Sequence, residues 1–365
     1  MRITNVSVDL VDLPAQPAFR WRDGLPGSEP QVTGGIVRIR TDEGLEGQAR
    51  TRRGPIVRDL VQRLIGVELV GADPLAREYL WHRMWELERR ETFPLYALGL
   101  VDVALWDLAG KAAGLPVHRL IGGFREQIPA YASLVTYGSV EEYLDVVDQC
   151  IEAGFTAVKV HAWGDVQRDA DLCRRLREHV GDGFPLMYDG SAGFTLPDAV
   201  ELGVALAEAR FHWYEEPMRE FNVTAHRWLA ERVDVPLLVG ETSHGAHMNT
   251  ADFLASGCAS YVRTSPHLKA GVTGALRIAH LAEAYLMRAE VHGSGLVQRH
   301  LCMSIPNTSY YECQVKGNPI IVEPAVGPDG MVQAPTTPGV GYEQYDDHRG
   351  QGDPASDGAS LSRAR

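Results

Sequence analysis

The sequence predicts an α/β fold whose larger part is a TIM-type barrel, and three observations predict it. Short apolar runs recur near 128–133, 156–161, 185–189, 211–215, 236–240, 259–264, 287–292 and 308–312. Stretches of helical periodicity such as VEEYLDVVDQCIEAG and DADLCRRLREHV separate them. Apolar runs buried on both faces and joined by helices make a parallel sheet. Eight such runs at intervals of about 25 residues favour closure of that sheet over an open one. Only about 18 residues separate the last two strands, so the final units are shortened.

The first third mixes strands and helices. Residues 2–13 alternate apolar and polar as a half-buried strand does. GGIVRIRTDEGLEGQAR reads as two strands around the turn Thr41-Asp42-Glu43-Gly44. Between these strands, residues 14–33 are rich in Pro, Gly, Arg and Trp, the composition of a mobile loop, and loops of that length tend to be functional. Helical periodicity follows at 55–67, 74–90 and 94–113. The last of these is apolar over much of its circumference and stops at Gly114-Leu115-Pro116, which predicts a buried helix. The end of the chain, 343–365, is polar and rich in small residues and is expected to be disordered.

Composition narrows the function. A hydrophobic content of 45% and a charged content of 23% over 365 residues match a globular protein with room for one large domain and a smaller one. No stretch approaches the roughly 20 apolar residues of a membrane span. The N-terminus lacks the basic and apolar regions of a signal peptide, so a cytoplasmic location is expected. A formal net charge of -13 disfavours nucleic acid or an anionic membrane as partner, although a solvated acidic surface accounts for most of it. Five scattered cysteines, odd in number and without paired metal spacing, read as buried reduced thiols.

Catalytic residues of such a barrel gather at the C-terminal ends of its strands. Asp189 ends FPLMYDG, Glu215 ends FHWYEEP and Glu241 ends VPLLVGE, at intervals of 26 residues. A single acid there is commonly a helix cap, but three in register meet at one mouth and repel unless a cation neutralises them. An all-oxygen set without Cys or His suits Mg²⁺. One strand earlier, AVKVHAW places Lys159 and His161 on the same inward face. A buried lysine needs a negative partner, for which a substrate carboxylate serves, and His161 has the chemistry of a base; a structural histidine is the commoner reading of such a pair alone. His292 ends the seventh run and Glu312 the eighth, across the mouth from Lys159 and His161, as acid–base groups on opposite faces of one substrate would be; either alone reads equally as a packed core residue.

Taken together, GLVDVALWDLAGKAAGLPVHRLIGG, AGFTAVKVHAW, MYDGSAGF, WYEEP, GET and GVTGALRIAHLAEA resemble the mandelate racemase and muconate-lactonising branch of the enolase superfamily over about residues 1–340. The resemblance implies an α+β capping domain at 1–125, completed by about 315–342, over a modified (β/α)7β barrel at 126–314. It matches Asp189, Glu215 and Glu241 to the family's metal ligands rather than Glu216, and Lys159 and His161 to the two lysines of a KxK motif. His292 matches the seventh-strand base, and Glu312 the acid that faces the substrate carboxylate. Two departures stand out. His161 replaces the second lysine, and the sixth strand reads YVRTSPHLKAGVTG, with Ser265 where an Asp partner of the histidine is expected. Arg263, His267 or an acid from elsewhere is left to orient His292.

The resemblance implies a small carboxylate substrate, above all a sugar acid. The expected reaction removes the α-proton, stabilises an enediolate with one Mg²⁺ and Lys159, and eliminates the 3-hydroxyl to give a 2-keto-3-deoxy acid. Racemisation, epimerisation or cycloisomerisation through the same enolate are the alternatives, and a catalytically inactive metal-binding scaffold is the alternative of another class. Arg20, Trp21 and Arg22 in the loop, and Arg52 beside Arg50 and Arg53, are candidates for reading the far end of the substrate, although exposed arginines are common. A homo-oligomer is expected from the relatives.

Overall fold

The computed structural model describes residues 1–343, so the tail expected to be disordered lies, after its first residue, outside the described residues. The chain opens with β1 (Ile3–Asp12), β2 (Thr33–Thr41) and β3 (Glu46–Thr51), an antiparallel sheet in that order. Then come α1 (Gly54–Leu60), a π-helical turn (Val61–Ile65), α2 (Gly66–Leu69), α3 (Arg77–Glu91), α4 (Leu95–Ala113) and α5 (Val117–Ile121). The single periodic stretch expected at 55–67 is therefore three short pieces. A Cβ on Gly66 would lie 2.8 Å from the Val61 carbonyl, so the return from π to α winding takes a residue without one.

Helix α4 is apolar on nearly every side because nearly every side is covered: it packs on β3 and on the barrel helix Gly271–Ala284. It ends at Gly114 in the left-handed conformation (φ 66). Its two buried acids are ties. Asp102 accepts from Thr273 N (2.8 Å) and Oγ1 (2.6 Å), and Asp107 from Gln48 N (2.8 Å) and Val340 N (2.7 Å). One helix thereby joins the cap sheet, the barrel and the C-terminal segment.

The barrel runs β4 (Gln127–Leu134), α6 (Val140–Glu152), β5 (Val158–His161), α7 (Val166–Val180), β6 (Leu186–Asp189), α8 (Leu196–Glu208), β7 (Tyr214–Glu215), α9 (Val223–Ala230), β8 (Leu237–Val239), α10 (His247–Ser256), β9 (Tyr261–Thr264), α11 (Gly271–Ala284), β10 (Arg288–Val291), α12 (Leu296–Ser304) and β11 (Tyr311–Val315). The eight strands are parallel in the order β10-β9-β8-β7-β6-β5-β4-β11, and Ala289 N donating to Asn307 O (3.0 Å) bridges the seam. This is the α/β class read from the sequence, a (β/α)7β TIM-type barrel under an α+β capping domain. The segment 315–342 divides its contacts: β12 (Met331–Gln333) extends the barrel by pairing antiparallel with β4, while Val340 and the Tyr342 carbonyl reach α4 and Arg50. Among the described residues no helix is long and apolar enough to cross a membrane, and all five cysteines are buried free thiols.

Strand alternation stacks the interior. Tyr131, Ala157, Met187, Trp213 and Leu238 form a buried apolar floor. Two residues further along the same faces stand Ser133, Lys159, Asp189, Glu215 and Gly240, so a polar layer lies directly on that floor at the C-terminal mouth.

Where α5, α12 and the C-terminal segment meet, two buried histidines fix an acid limit. His300 Nε2 lies 3.1 Å from the Val340 carbonyl, which only accepts, so Nε2 carries the hydrogen and Nδ1 receives His118 N–H at 3.1 Å. A second proton on His300 would break that bond, and burial holds its imidazole down at about 3. Unfolding therefore takes up a proton below the ordinary value of 6.5, and stability present above pH 6.5 drains as pH falls toward 3. The expected loss from this group is about 1.4 kcal/mol per pH unit, flattened in His300→Asn. Thermal melts at pH 7 and 5 check it; equal slopes in both proteins would refute the assignment.

Candidate active site

The carboxylates of Asp189, Glu215 and Glu241 converge at the mouth, with one oxygen from each within 4.8 Å of the others. The ladder pairs Asp189 with Glu215, and Glu241 follows β8 after Gly240. Glu216 turns away at a left-handed φ of 39, and its Oε1 lies 3.1 Å from Thr242 Oγ1, which also lies 2.7 Å from Glu220 Oε1. It does not join the trio. Burial, then the charges of Glu215 and Asp189, push the Glu241 carboxyl well above its ordinary range. Carboxylates this close share their charge with a proton or a cation.

Lys159 is 1% exposed and its Nζ reaches Glu215 Oε2 (2.8 Å), Glu312 Oε1 (2.9 Å) and Asp189 Oδ2 (3.2 Å). Its negative partners are thus three protein carboxylates, where the sequence reading expected a substrate group. Against its burial, Glu215 and Glu312 hold its ammonium well above the usual lysine range. Glu312, buried as well, is held well below the carboxylate range by Lys159 and Arg263 and accepts Gly293 N–H at 2.8 Å.

His161 Nδ1 sits 2.7 Å from the Leu134 carbonyl and so carries its hydrogen. This leaves Nε2, 3.1 Å from Asp189 Oδ2, as the nitrogen that exchanges a proton. Trp21 covers the ring at a centroid distance of 4.4 Å. His292 approaches from β10, separated from β5 by β4 and β11 on one side and by four strands on the other. Its Nε2 lies 3.2 Å from Glu241 Oε1, its side chain keeps 28% exposure toward the cavity, and burial of the rest lowers it to about 4. The partner of His292 is therefore Glu241. Neither Arg263 nor His267 substitutes for the missing sixth-strand acid: His267 stacks on Tyr96 (5.5 Å), and Ser265 Oγ receives the amides of His267 and Leu268.

Arg263 does something the sequence reading did not assign. Wholly buried, it grips Glu215 with Nε on Oε1 and a terminal nitrogen on Oε2 (2.7 Å), and donates to Tyr131 Oη (2.9 Å). The signal was available, since an arginine inside the apolar run YVRT breaks the pattern as Lys159 does in AVKVH.

Lys159, His161, Asp189, Glu241, His292 and Glu312 line a cavity of about 1030 Å³ under the loop 14–33. Trp21, Arg22, Arg52 and Arg53 also line it, whereas Arg20 does not; its side chain is exposed and its carbonyl receives Thr136 N–H (2.9 Å). Arg22 is spent on the barrel itself, with Nε donating to the Ser191 carbonyl (3.1 Å). Arg53 pairs with Glu29 (2.8 Å). The loop expected to be mobile is tied down at several points.

Fold and site together define a carboxylate-lined barrel enzyme with two histidines at one mouth. Residues 142–348 match the enolase C-terminal domain-like family, and 27–122 match the mandelate racemase / muconate lactonizing enzyme N-terminal domain. The chain belongs to the mandelate racemase/muconate lactonizing enzyme family of the enolase superfamily and is an enzyme. It is 30% identical to 3,6-anhydro-alpha-L-galactonate cycloisomerase of Streptomyces coelicolor over 349 residues, which cover 93% of this chain and 96% of that protein. It is 25% identical over 360 residues to L-talarate/galactarate dehydratase of Salmonella typhimurium, covering 93% and 88%. The crystal structure of D-glucarate dehydratase from Agrobacterium tumefaciens complexed with magnesium superposes with a TM-score of 0.85 at 30% identity, covering 93% of this chain and 96% of that one.

Proposed function

We propose that this chain is a magnesium-dependent acid-sugar dehydratase. The observation that carries the reading is a charge balance. Among the described residues, Asp189, Glu215, Glu241 and Glu312 face two fixed cations, Lys159 and Arg263, which leaves two negative charges at the mouth. An all-oxygen donor set with that excess fits one divalent hard cation held by Asp189, Glu215 and Glu241. Magnesium there supplies the positive charge against which the extra charge of an enediolate can build.

The side chains carry the remaining steps. His292 Nε2, with its lone pair available when Glu241 is engaged elsewhere, takes the α-proton; Lys159 stabilises the charge appearing on the substrate carboxylate. The imidazolium so formed returns its proton to the 3-hydroxyl, which leaves as water, and the resulting enol tautomerises to a 2-keto-3-deoxy acid. His161, approaching from the other side of the mouth, is the acid when elimination is anti. The named dehydratases among the relatives support this reaction. The same two histidines on separate strands favour a second reading, epimerisation or cycloisomerisation, and the cycloisomerase relative supports it.

A panel of acid sugars incubated with the protein and Mg²⁺ in D2O separates these. A 2-keto product is expected. Deuterium at the α-carbon with every hydroxyl retained would assign epimerisation, a product of the substrate's own mass with a ring opened or closed would assign cycloisomerisation, and no exchange or product with any member would overturn both readings. We further infer a cytoplasmic homo-oligomer: the cysteines are reduced, and Ile56, Val67, Val70, Leu75 and Tyr79 stand exposed along the cap helices.

A further inference from the structure

We propose that Arg22 is a latch rather than a substrate ligand: it fills a slot that Gly164 and Gly193 leave open between the loops after β5 and β6, and so holds the capping loop shut over His161. The chain around it is fastened to three successive barrel loops. Thr136 N donates to the Arg20 carbonyl (2.9 Å), Asp23 N to the Trp163 carbonyl (3.2 Å), and Arg22 Nε to the Ser191 carbonyl (3.1 Å). The guanidinium also folds back on the Asp23 carbonyl (2.9 Å), so Nε and one terminal nitrogen are engaged with backbone.

The slot is made by missing side chains. A Cβ on Gly193 would lie 2.7 Å from Arg22 Nε and 2.8 Å from its Cδ, and one on Gly164 would lie 3.3 Å from Cδ. Gly193 is not among the glycines with positive φ, so its own backbone does not require glycine; the close approach of Arg22, with the Gly190 carbonyl 3.0 Å from the same Cβ position, does.

The latch also reaches the metal-ligand end of β6. Ser191, whose carbonyl receives Arg22, sits at a left-handed φ of 44 and donates its own N–H to Asp189 Oδ1 (2.8 Å). Closing the loop therefore fixes the peptide that orients Asp189, and it seats Trp21 on the His161 ring at 4.4 Å. Arg22 is a positioning residue in this arrangement. A closed loop lowers the free energy of the substrate complex by being in place beforehand.

The consequence for turnover rests on the dehydratase reading, but the latch does not, and the experiment keeps them apart. Hydrogen exchange is measured on the full chain without substrate, for wild type, Arg22→Ala and Gly193→Ala. In Gly193→Ala the added methyl crowds Arg22 out of its slot while no polar side chain is removed. Exchange across residues 14–32 is expected to rise at least about tenfold in both variants, with the strand Val158–His161 unchanged as the check on folding. With an acid-sugar substrate, KM is expected to rise by at least about tenfold while kcat stays within about threefold. Wild-type exchange of 14–32 in either variant overturns the latch. So does a KM increase confined to Arg22→Ala, which is the outcome for a direct substrate ligand.

Discussion

Lys159→Met is expected to lose at least about a thousandfold in kcat while binding Mg²⁺ more tightly than the wild type. The two effects share one cause. The ammonium sits 3.2 Å from Asp189 and 2.8 Å from Glu215, so it stands as a rival cation on two of the three carboxylates proposed to hold the metal. Removing it leaves four carboxylates against Arg263 alone. A unit charge at about 4 Å is worth about 4 kcal/mol at an effective dielectric of 20, so a gain of at least about tenfold in Mg²⁺ affinity is a modest expectation. Methionine keeps the length and the apolar stem, which limits the cavity left on the Trp213 floor. Catalysis moves the other way because the ammonium is desolvated and already in place where charge develops on the substrate. Calorimetric titration of chelator-treated protein with Mg²⁺ reads the first effect without any substrate. Unchanged or weaker Mg²⁺ binding would show that Lys159 does not compete for these oxygens.

Much of this was legible in the sequence because it depends on short-range periodicity. Alternation along a strand puts Ala157, Lys159 and His161 on one face, so an apolar floor under a charged layer follows from AVKVH alone. Asp189, Glu215 and Glu241 are readable for the same reason, each closing an apolar run. The pairing of His292 with Glu241 was not readable, since it joins two strands 51 positions apart through a side-chain rotamer that no local pattern encodes. In the loop, Arg20, Trp21 and Arg22 are consecutive residues of one composition class, yet one faces solvent, one covers His161 and one enters a backbone slot. An irregular segment has no period from which to assign a side. Arg263 differs again: the mark was present in YVRTS, but its partner Glu215 lies 48 residues away on another strand.

That partnership predicts the largest structural effect. Arg263→Met is expected to destabilise the metal-free protein by about 3–5 kcal/mol, the usual cost of removing one member of a buried ion pair and stranding the other. Glu215 is 0% exposed, and both its oxygens are held by Arg263, with Lys159 sharing Oε2. Without the guanidinium, Lys159 alone must balance Glu215, Asp189 and Glu312, and Tyr131 Oη loses its donor. A divalent cation on Glu215 replaces part of the missing charge, so the stabilisation of Arg263→Met by Mg²⁺ should exceed that of the wild type. Melting temperatures with and without Mg²⁺ for the two proteins measure both halves of the expectation. A variant that melts with the wild type in the absence of metal would show that the buried pair contributes no stability. A deficit that Mg²⁺ fails to narrow would show that the arginine acts through packing against Trp213 rather than through the charge it presents to Glu215.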